Sequence, residues 1–126
     1  MQKKILIADD DVSLVNVLTS RLQQHNYKVL CAFDAAQVMT IAMSDSPDLI
    51  ILDIKMPAGT GKGALEYLKG SGKTFPIPVI VMTAYPDENL RKLAIEKGAV
   101  DFFEKPFPIE KLLESMARVL QEEERT

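Results

Sequence analysis

A chain of 126 residues with 47% hydrophobic and 26% charged side chains is long enough for one domain with a single core, and shows neither disordered nor fibrous composition. Its net charge of −3 argues against a nucleic-acid footprint, which is normally a clearly basic face, and its one cysteine, Cys31, excludes an internal disulfide and reads as a small buried hydrophobe in a reduced setting. No apolar run approaches the roughly 18 residues of a membrane span, and the opening run Ile5 to Ala8 is too short for a signal peptide, so the chain reads as cytoplasmic.

Five short apolar runs are predicted as strands: Ile5 to Ala8, Val29 to Ala32, Leu49 to Leu52, Val79 to Met82, and Phe102 with Phe103. All but the last are continuous rather than alternating, which suits strands buried on both faces of a parallel sheet. Helical spacing fills the intervals. Leu14, Leu18 and Leu22 recur every fourth residue in the first, Val38, Met39 and Ala42 mark the second, and Ala64, Leu65 and Leu68 the third. Leu90, Leu93 and Ala94 mark the fourth, and Ile109, Leu112, Leu113, Met116 and Leu120 give the fifth the clearest stripe. Ser46-Pro47 precedes the third strand, Gly70-Ser71-Gly72 closes the third helix and Gly98 the fourth. The prediction is a (βα)₅ chain folded as a doubly wound α/β parallel sheet of strand order 2-1-3-4-5, with right-handed crossovers. The tail Gln121 to Thr126 changes character, so residues 1–121 are expected to form the domain and 122–126 an acidic tail or the start of a linker.

In an open α/β sheet the ligand site lies beyond the carboxyl ends of the strands, where the strand order reverses. Asp9, Asp10 and Asp11 follow the first strand, Asp53 the third, Thr83 the fourth and Lys105 the fifth. With Asp9, Asp10 and Asp53 ionised and Lys105 charged, the pocket carries a formal charge of −2 (three carboxylates less one ammonium). Two like charges about 4 Å apart repel by roughly 4 kcal/mol at an effective dielectric of 20, so the cluster calls for a cation. Oxygen-only ligands point to Mg²⁺, with Mn²⁺ able to substitute. An aspartate beside a divalent cation, an amine and a hydroxyl is equipped for phosphoryl transfer. In this scheme Asp53 attacks phosphorus, Asp10 ligates the metal, Asp9 holds it directly or through water, and the backbone carbonyl of Lys55 adds an oxygen. Lys105 and the Thr83 hydroxyl each take a phosphoryl oxygen.

These residues, in this order, resemble the receiver domain of two-component response regulators over about residues 3 to 121. Ile5-Leu6-Ile7-Ala8-Asp9-Asp10-Asp11 is similar to the family's acidic opening. Asp53-Ile54-Lys55-Met56-Pro57 with Gly61 resembles its phosphoacceptor loop, Thr83-Ala84 its hydroxyl switch, and Lys105-Pro106-Phe107 its lysine-proline signature. The resemblance implies the flavodoxin-like (CheY-like) form of the fold and an aspartyl phosphate at Asp53, supplied by a sensor histidine kinase or phosphotransfer protein. It also implies a rearrangement of the face formed by the fourth helix, fifth strand and fifth helix, in which Thr83 is drawn to the phosphoryl group and Phe102 turns inward. Phe102 has no hydroxyl, so its switching is by packing alone. That face would control an output domain or target protein, a phosphorylation-dependent homodimer included, with no direct contact to nucleic acid or membrane. The loop Ala58-Gly59-Thr60-Gly61 lacks the acidic residue often found before its last glycine. Lys55 and Tyr85 occupy places that in the family govern water access to the phosphoryl group, and small Ala84 leaves the pocket mouth open to a donor.

Plainer roles compete for the same residues. Asp11 suits an N-cap of the first helix and Thr83 a cap of the fourth; Lys105 taken alone is a surface lysine, Phe102 a core aromatic, and His25 a solvated helix end. Three other functions share parts of the pattern. A hydrolase of the haloacid dehalogenase type wants an aspartate two residues after the nucleophile, where Lys55 stands. A flavodoxin-like binder wants a hydroxyl- and glycine-rich loop where three aspartates stand. A receiver that is no longer phosphorylated would be a plain interaction module, against which the complete set of pocket residues argues.

Overall fold

The structure is a computed structural model that describes residues 2–55, 61–85 and 88–125, with the side chains of 61, 62 and 122–125 left aside. Ten elements alternate: β1 (Lys4–Ala8), α1 (Val12–Gln24), β2 (Lys28–Ala32), α2 (Ala35–Asp45), β3 (Leu49–Asp53), α3 (Gly61–Gly70), β4 (Val79–Thr83), α4 (Glu88–Glu96), β5 (Asp101–Glu104) and α5 (Ile109–Arg125). The five strands form one parallel sheet in the order β2-β1-β3-β4-β5, as the sequence predicts. Strand order reverses between β1 and β3, which pair in register from Ile5 with Leu49 to Ala8 with Leu52.

Side-chain parity along the strands divides the core in two, because successive residues of a strand point to opposite faces. Leu6, Ala8, Ile50, Leu52, Val79, Val81 and Phe102 face α2, α3 and α4. Ile5, Ile7, Leu49, Ile51, Ile80 and Met82 face α1 and α5. β3 and β4 are fully buried on both faces, which explains their unbroken apolar runs. β2 departs from the expectation. It lies at the sheet edge, where helices cover it incompletely, so Lys28 is exposed, Val29 to Cys31 are half-buried and only Ala32 is buried. Cys31 is therefore only half-buried, packed against the α1–α5 side of the core, with its Sγ 3.7 Å from Thr19 Oγ1.

Local chemistry sets the helix ends. Asp11 caps α1 and Asp34 caps α2, each carboxylate accepting from a backbone N–H three residues on. α2 stops at Ser46 with φ of 47°, directly before Pro47. After α4 the chain turns at Gly98, whose φ of 107° suits only glycine, and the stem of Lys69 lies against it. α5 is pinned to the start of β5 by a polar contact: the buried Ser115 hydroxyl donates to Asp101 Oδ2 at 2.6 Å. Asp101 Oδ1 accepts from the Phe102 N–H at 2.8 Å, so one carboxylate ties α5 to the strand that carries Phe102.

Candidate functional site

The carboxyl ends of β1, β3, β4 and β5 converge because sheet hydrogen bonding continues one residue past the strands. Asp9 N–H donates to the Ala32 carbonyl at 3.1 Å, Ile54 N–H to Met82 at 3.1 Å, and Lys105 N–H to Thr83 at 2.8 Å. These bonds bring Asp9, Asp10, Asp53, Lys55, Ala84, Tyr85 and Lys105 around one cleft of about 300 Å³. Carboxylate oxygens of Asp9, Asp10 and Asp53 all lie within 4.8 Å of one another, a spacing that one cation can span. Asp9 is 0% and Asp53 5% exposed, whereas Asp10 opens to solvent.

Lys105 is the counter-charge. Its ammonium forms a direct ion pair with Asp9 Oδ2 and stands 3.3 Å from Asp53 Oδ2. The other oxygen of each carboxylate is held by backbone: Asp9 Oδ1 accepts from Asp11 N–H at 2.9 Å, and Asp53 Oδ1 from Lys55 N–H at 3.0 Å. Burial raises the Asp9 carboxyl above its ordinary value; the bonds from Lys105 and the Asp11 N–H pull it down without cancelling that, and the Asp53 charge adds to the rise. Burial alone would depress Lys105, yet its bond to Asp9 and the charges of Asp53 and Asp9 hold its amine above the usual lysine range.

Thr83 is fully buried at the end of β4, and its hydroxyl oxygen accepts from Tyr85 N–H at 3.0 Å. That bond closes a local turn well ahead of Glu88, so Thr83 is not the cap of α4. Ala84 is exposed and lines the cleft beside Tyr85. Phe102 is 6% exposed and packs in the α2–α3–α4 side of the core. The Arg91 guanidinium carbon sits 5.8 Å from its ring centre, in the range of a cation–π contact. Across the mouth, Lys55 Nζ lies 5.5 Å from the ring centre of Tyr85. His25 is exposed at the end of α1, remote from the cleft. The loop residues Met56, Pro57, Ala58, Gly59 and Thr60 lie outside the described residues.

The sequence singles out Lys55 and Tyr85 but not their mutual contact, and it gives no signal at all for the tie from Ser115 to Asp101 beside Phe102. Each joins residues from different elements, and the types involved are ordinary surface types. On the far side of Lys105 and Ala84 a second recess of about 410 Å³ is lined by Leu14, Phe107 and Ile109.

Comparison with known proteins agrees with this geometry. The family model described as response regulator receiver domain matches residues 5–117. A probable transcriptional regulator, ycf27, of Cyanophora paradoxa is 38% identical over 106 residues, a match that takes in 84% of this chain and 43% of that protein. The chain thus spans less than half the length of this curated relative. Among solved structures, a CheY-like receiver domain protein from Methanospirillum hungatei superposes with a TM-score of 0.93 at 26% identity, covering 99% of this chain and 98% of that one. The BeF₃-activated N-terminal receiver domain of Klebsiella pneumoniae RstA gives a TM-score of 0.85 at 25% identity, covering 94% and 98%. With the family model matching nearly the whole chain and three acidic side chains gathered in a pocket typical of a phosphoacceptor site, the chain belongs to the response regulator receiver domains, signalling modules of two-component systems rather than catalytic enzymes.

Proposed function

We propose that Asp53 accepts a phosphoryl group from a histidine kinase or phosphotransfer protein in a Mg²⁺-dependent reaction, and that this modification switches the α4-β5-α5 face. The observation that carries the reading is the convergence of three carboxylates within 4.8 Å with Lys105 bridging two of them. The donor set fits a hard divalent ion: Asp9, Asp10, Asp53 and the Lys55 backbone carbonyl offer oxygen only, and the formal surplus of negative charge matches its charge. When bound, Mg²⁺ supplies charge neutralisation for the phosphoryl oxygens; Mn²⁺ is expected to substitute.

The remaining roles fall to the chain itself. A carboxylate oxygen of Asp53 forms the new P–O bond as the donor's P–N bond breaks, and the electron pair leaves with the imidazole. Lys105 pairs with one phosphoryl oxygen. The Thr83 hydroxyl already accepts from Tyr85 N–H; its proton is free to be donated to another phosphoryl oxygen, and that pull draws the start of the β4–α4 connection toward the site. Ala84 gives the donor room at the mouth. Phe102 passes the change on by packing against α4, and Asp101 and Ser115 relay it to α5. This is a local charge change biasing a two-state element.

Membership in a two-component family implies a histidine kinase partner. The α4-β5-α5 face is proposed to act on an output domain or target protein, a phosphorylation-dependent homodimer being one form of that, in the cytoplasm and without contact to DNA or membrane. No helix among the described residues is long and apolar enough to cross a membrane. Residues 1–121 are taken as the receiver and 122–126 as its tail or the start of a linker.

The test is incubation with Mg²⁺ and a small acyl phosphate donor, followed by intact mass. One phosphoryl adduct is expected on the wild type, none on Asp53→Asn, and none in chelator. An unmodified wild type would leave only the reading of a plain interaction module.

A further inference from the structure

The two ends of α4 are held very differently. Its last turn closes on itself, with Gly98 N–H donating to the Ile95 carbonyl and Ala99 N–H to Ala94, both at 3.0 Å, the paired bonds of a glycine-terminated helix. Ala99 then buries in the core, and Val100 N–H donates to the Val79 carbonyl at 2.8 Å, so the turn is joined to the start of β4. Lys69, in the last turn of α3, stands behind that turn. Its stem lies against Gly98, and its amine donates to the carbonyls of Ile77 at 2.7 Å and Phe75 at 3.1 Å. The segment that it grips is itself closed, by Phe75 N–H to Ser71, Ile77 N–H to Thr74, and the buried Thr74 hydroxyl to Leu68 at 2.7 Å. At the other end, among the described residues, Tyr85 N–H on the Thr83 hydroxyl is the bond that leads from β4 toward α4.

We propose that α4 pivots about its Gly98 end, with Lys69 as the positioning residue that holds the pivot in place, while its amino-terminal half swings. The proposal rests on reading Asp53 as the phosphoacceptor, because the pull on the Thr83 hydroxyl then acts at the amino-terminal side of α4. A force on one end of a stiff helix whose other end is fixed rotates the helix rather than sliding it. Little apolar burial opposes the rotation, since Ala94 alone is fully buried among the described side chains of α4. At 1.5 Å per residue Glu88 lies about 15 Å from Gly98 and Glu96 about 3 Å, so a rigid swing carries Glu88 about five times as far. Arg91 is on the swinging half, and its contact with the Phe102 ring, 5.8 Å from guanidinium carbon to ring centre, changes with the swing. The Lys97–Glu66 pair at 3.5 Å secures the same end as Lys69, but it is exposed and contributes little. Lys69 carries the hold because its amine is fixed at two carbonyls; with the amine released the stem yields and the helix end is free to follow.

The experiment places nitroxide labels on the intact chain, with Cys31→Ser to remove the native thiol. It compares two pairs, Ala36→Cys with Glu88→Cys and Ala36→Cys with Glu96→Cys, all three sites being exposed. Distances are read by pulsed electron spin resonance before and after phosphorylation with Mg²⁺ and a small acyl phosphate donor, and uptake is checked on the same sample by intact mass. The Glu88 pair is expected to shift about fivefold more than the Glu96 pair. In Lys69→Met, which keeps the stem and loses the amine, that ratio is expected to fall toward one with phosphorylation retained. Equal shifts without the substitution, or a larger shift at Glu96, overturn the pivot, as does no shift at either pair once the adduct is present; the phosphoacceptor reading stands in each case. A ratio that Lys69→Met leaves unchanged overturns the role of Lys69. No adduct on the chain with Lys69 intact overturns both readings.

Discussion

Lys105 and Asp9 carry opposite charges, yet both titrate above their ordinary values, and the consequences for stability have the same sign. The native state holds the Asp9 proton more tightly than the unfolded chain does. Its stabilising contribution is complete below the ordinary carboxyl value of 3.8 and is lost as pH rises through the raised native value. Lys105 repeats this at the alkaline end: the contribution of its ion pairs is complete below 10.5 and is lost as pH rises through its higher native value. Urea midpoints measured in chelator are therefore expected to fall, relative to Asp9→Asn, as pH rises through the acidic window; a flat difference between the two proteins would contradict the shift. At the mouth of the cleft, Lys55 and Tyr85 supply a second residue-scale expectation. A cation–π contact at an exposed site is worth about 0.5–1 kcal/mol, a factor of roughly 2–5 in how often the mouth is covered. Loss of the phosphoryl group from the purified phosphoprotein is expected to be slow and to quicken by about that factor in Lys55→Ala and Tyr85→Ala. Rapid loss in the wild type, unchanged by either substitution, would remove the role assigned to the pair. Asp9, Asp10, Asp53, Thr83 and Lys105 are legible in the sequence because each immediately or closely follows a hydrophobic run. The pairing of Lys105 with Asp9 is not, since the two are separated by 96 positions and nothing in the local sequence says which carboxylate the amine chooses.

α4 is the most lightly held of the helices around the proposed switch face. Ala94 is its only fully buried side chain among the described residues. Its outer ties are Lys97 to Glu66 of α3 at 3.5 Å and the close approach of Lys69 to the Gly98 turn. A helix that buries little apolar area is the element easiest to displace, which suits the change proposed for this face. The Gly98 turn fixes where that displacement ends. A Cβ there would stand 3.1 Å from Lys69 Cγ, and Lys69 cannot easily retreat because its amine donates to the Ile77 carbonyl at 2.7 Å and to Phe75 at 3.1 Å. Gly98→Ala is thus expected to cost about 1–2 kcal/mol from the left-handed conformation alone, read as a lower urea midpoint, with phosphorylation of Asp53 retained. At this scale the strands, the N-cap at Asp11 and the glycine stop after α4 are readable from spacing and turn chemistry. The partial exposure of β2 is not, because Val29, Leu30, Cys31 and Ala32 make as continuous a run as any central strand, although the predicted strand order already puts β2 at an edge.

The whole molecule is a sheet with a core on each face, and the site sits where both cores end. Leu52 shows the dependence: it is fully buried on the α2–α3–α4 side, one residue before Asp53. Leu52→Ala is expected to lower stability by about 2–5 kcal/mol through lost burial and the cavity left behind, and to weaken Mg²⁺ binding as Asp53 loses its fixed position. Denaturant unfolding with and without Mg²⁺ measures both effects. By itself the sequence determined the α/β class, the order of elements and strands, the strand ends at which the polar residues stand, and an acidic cluster consistent with a metal site. Those follow from local rules, in which apolar runs, turn residues and like charges speak through nearest neighbours. Only the tertiary structure decided that Lys105 rests on Asp9, that Lys55 and Tyr85 meet across the mouth, that Asp101 joins Phe102 to α5, and that β2 is only partly covered. Each of these depends on which of several compatible partners the packed sheet brings within about 3–6 Å, a distance set by long-range contact rather than by any stretch of chain.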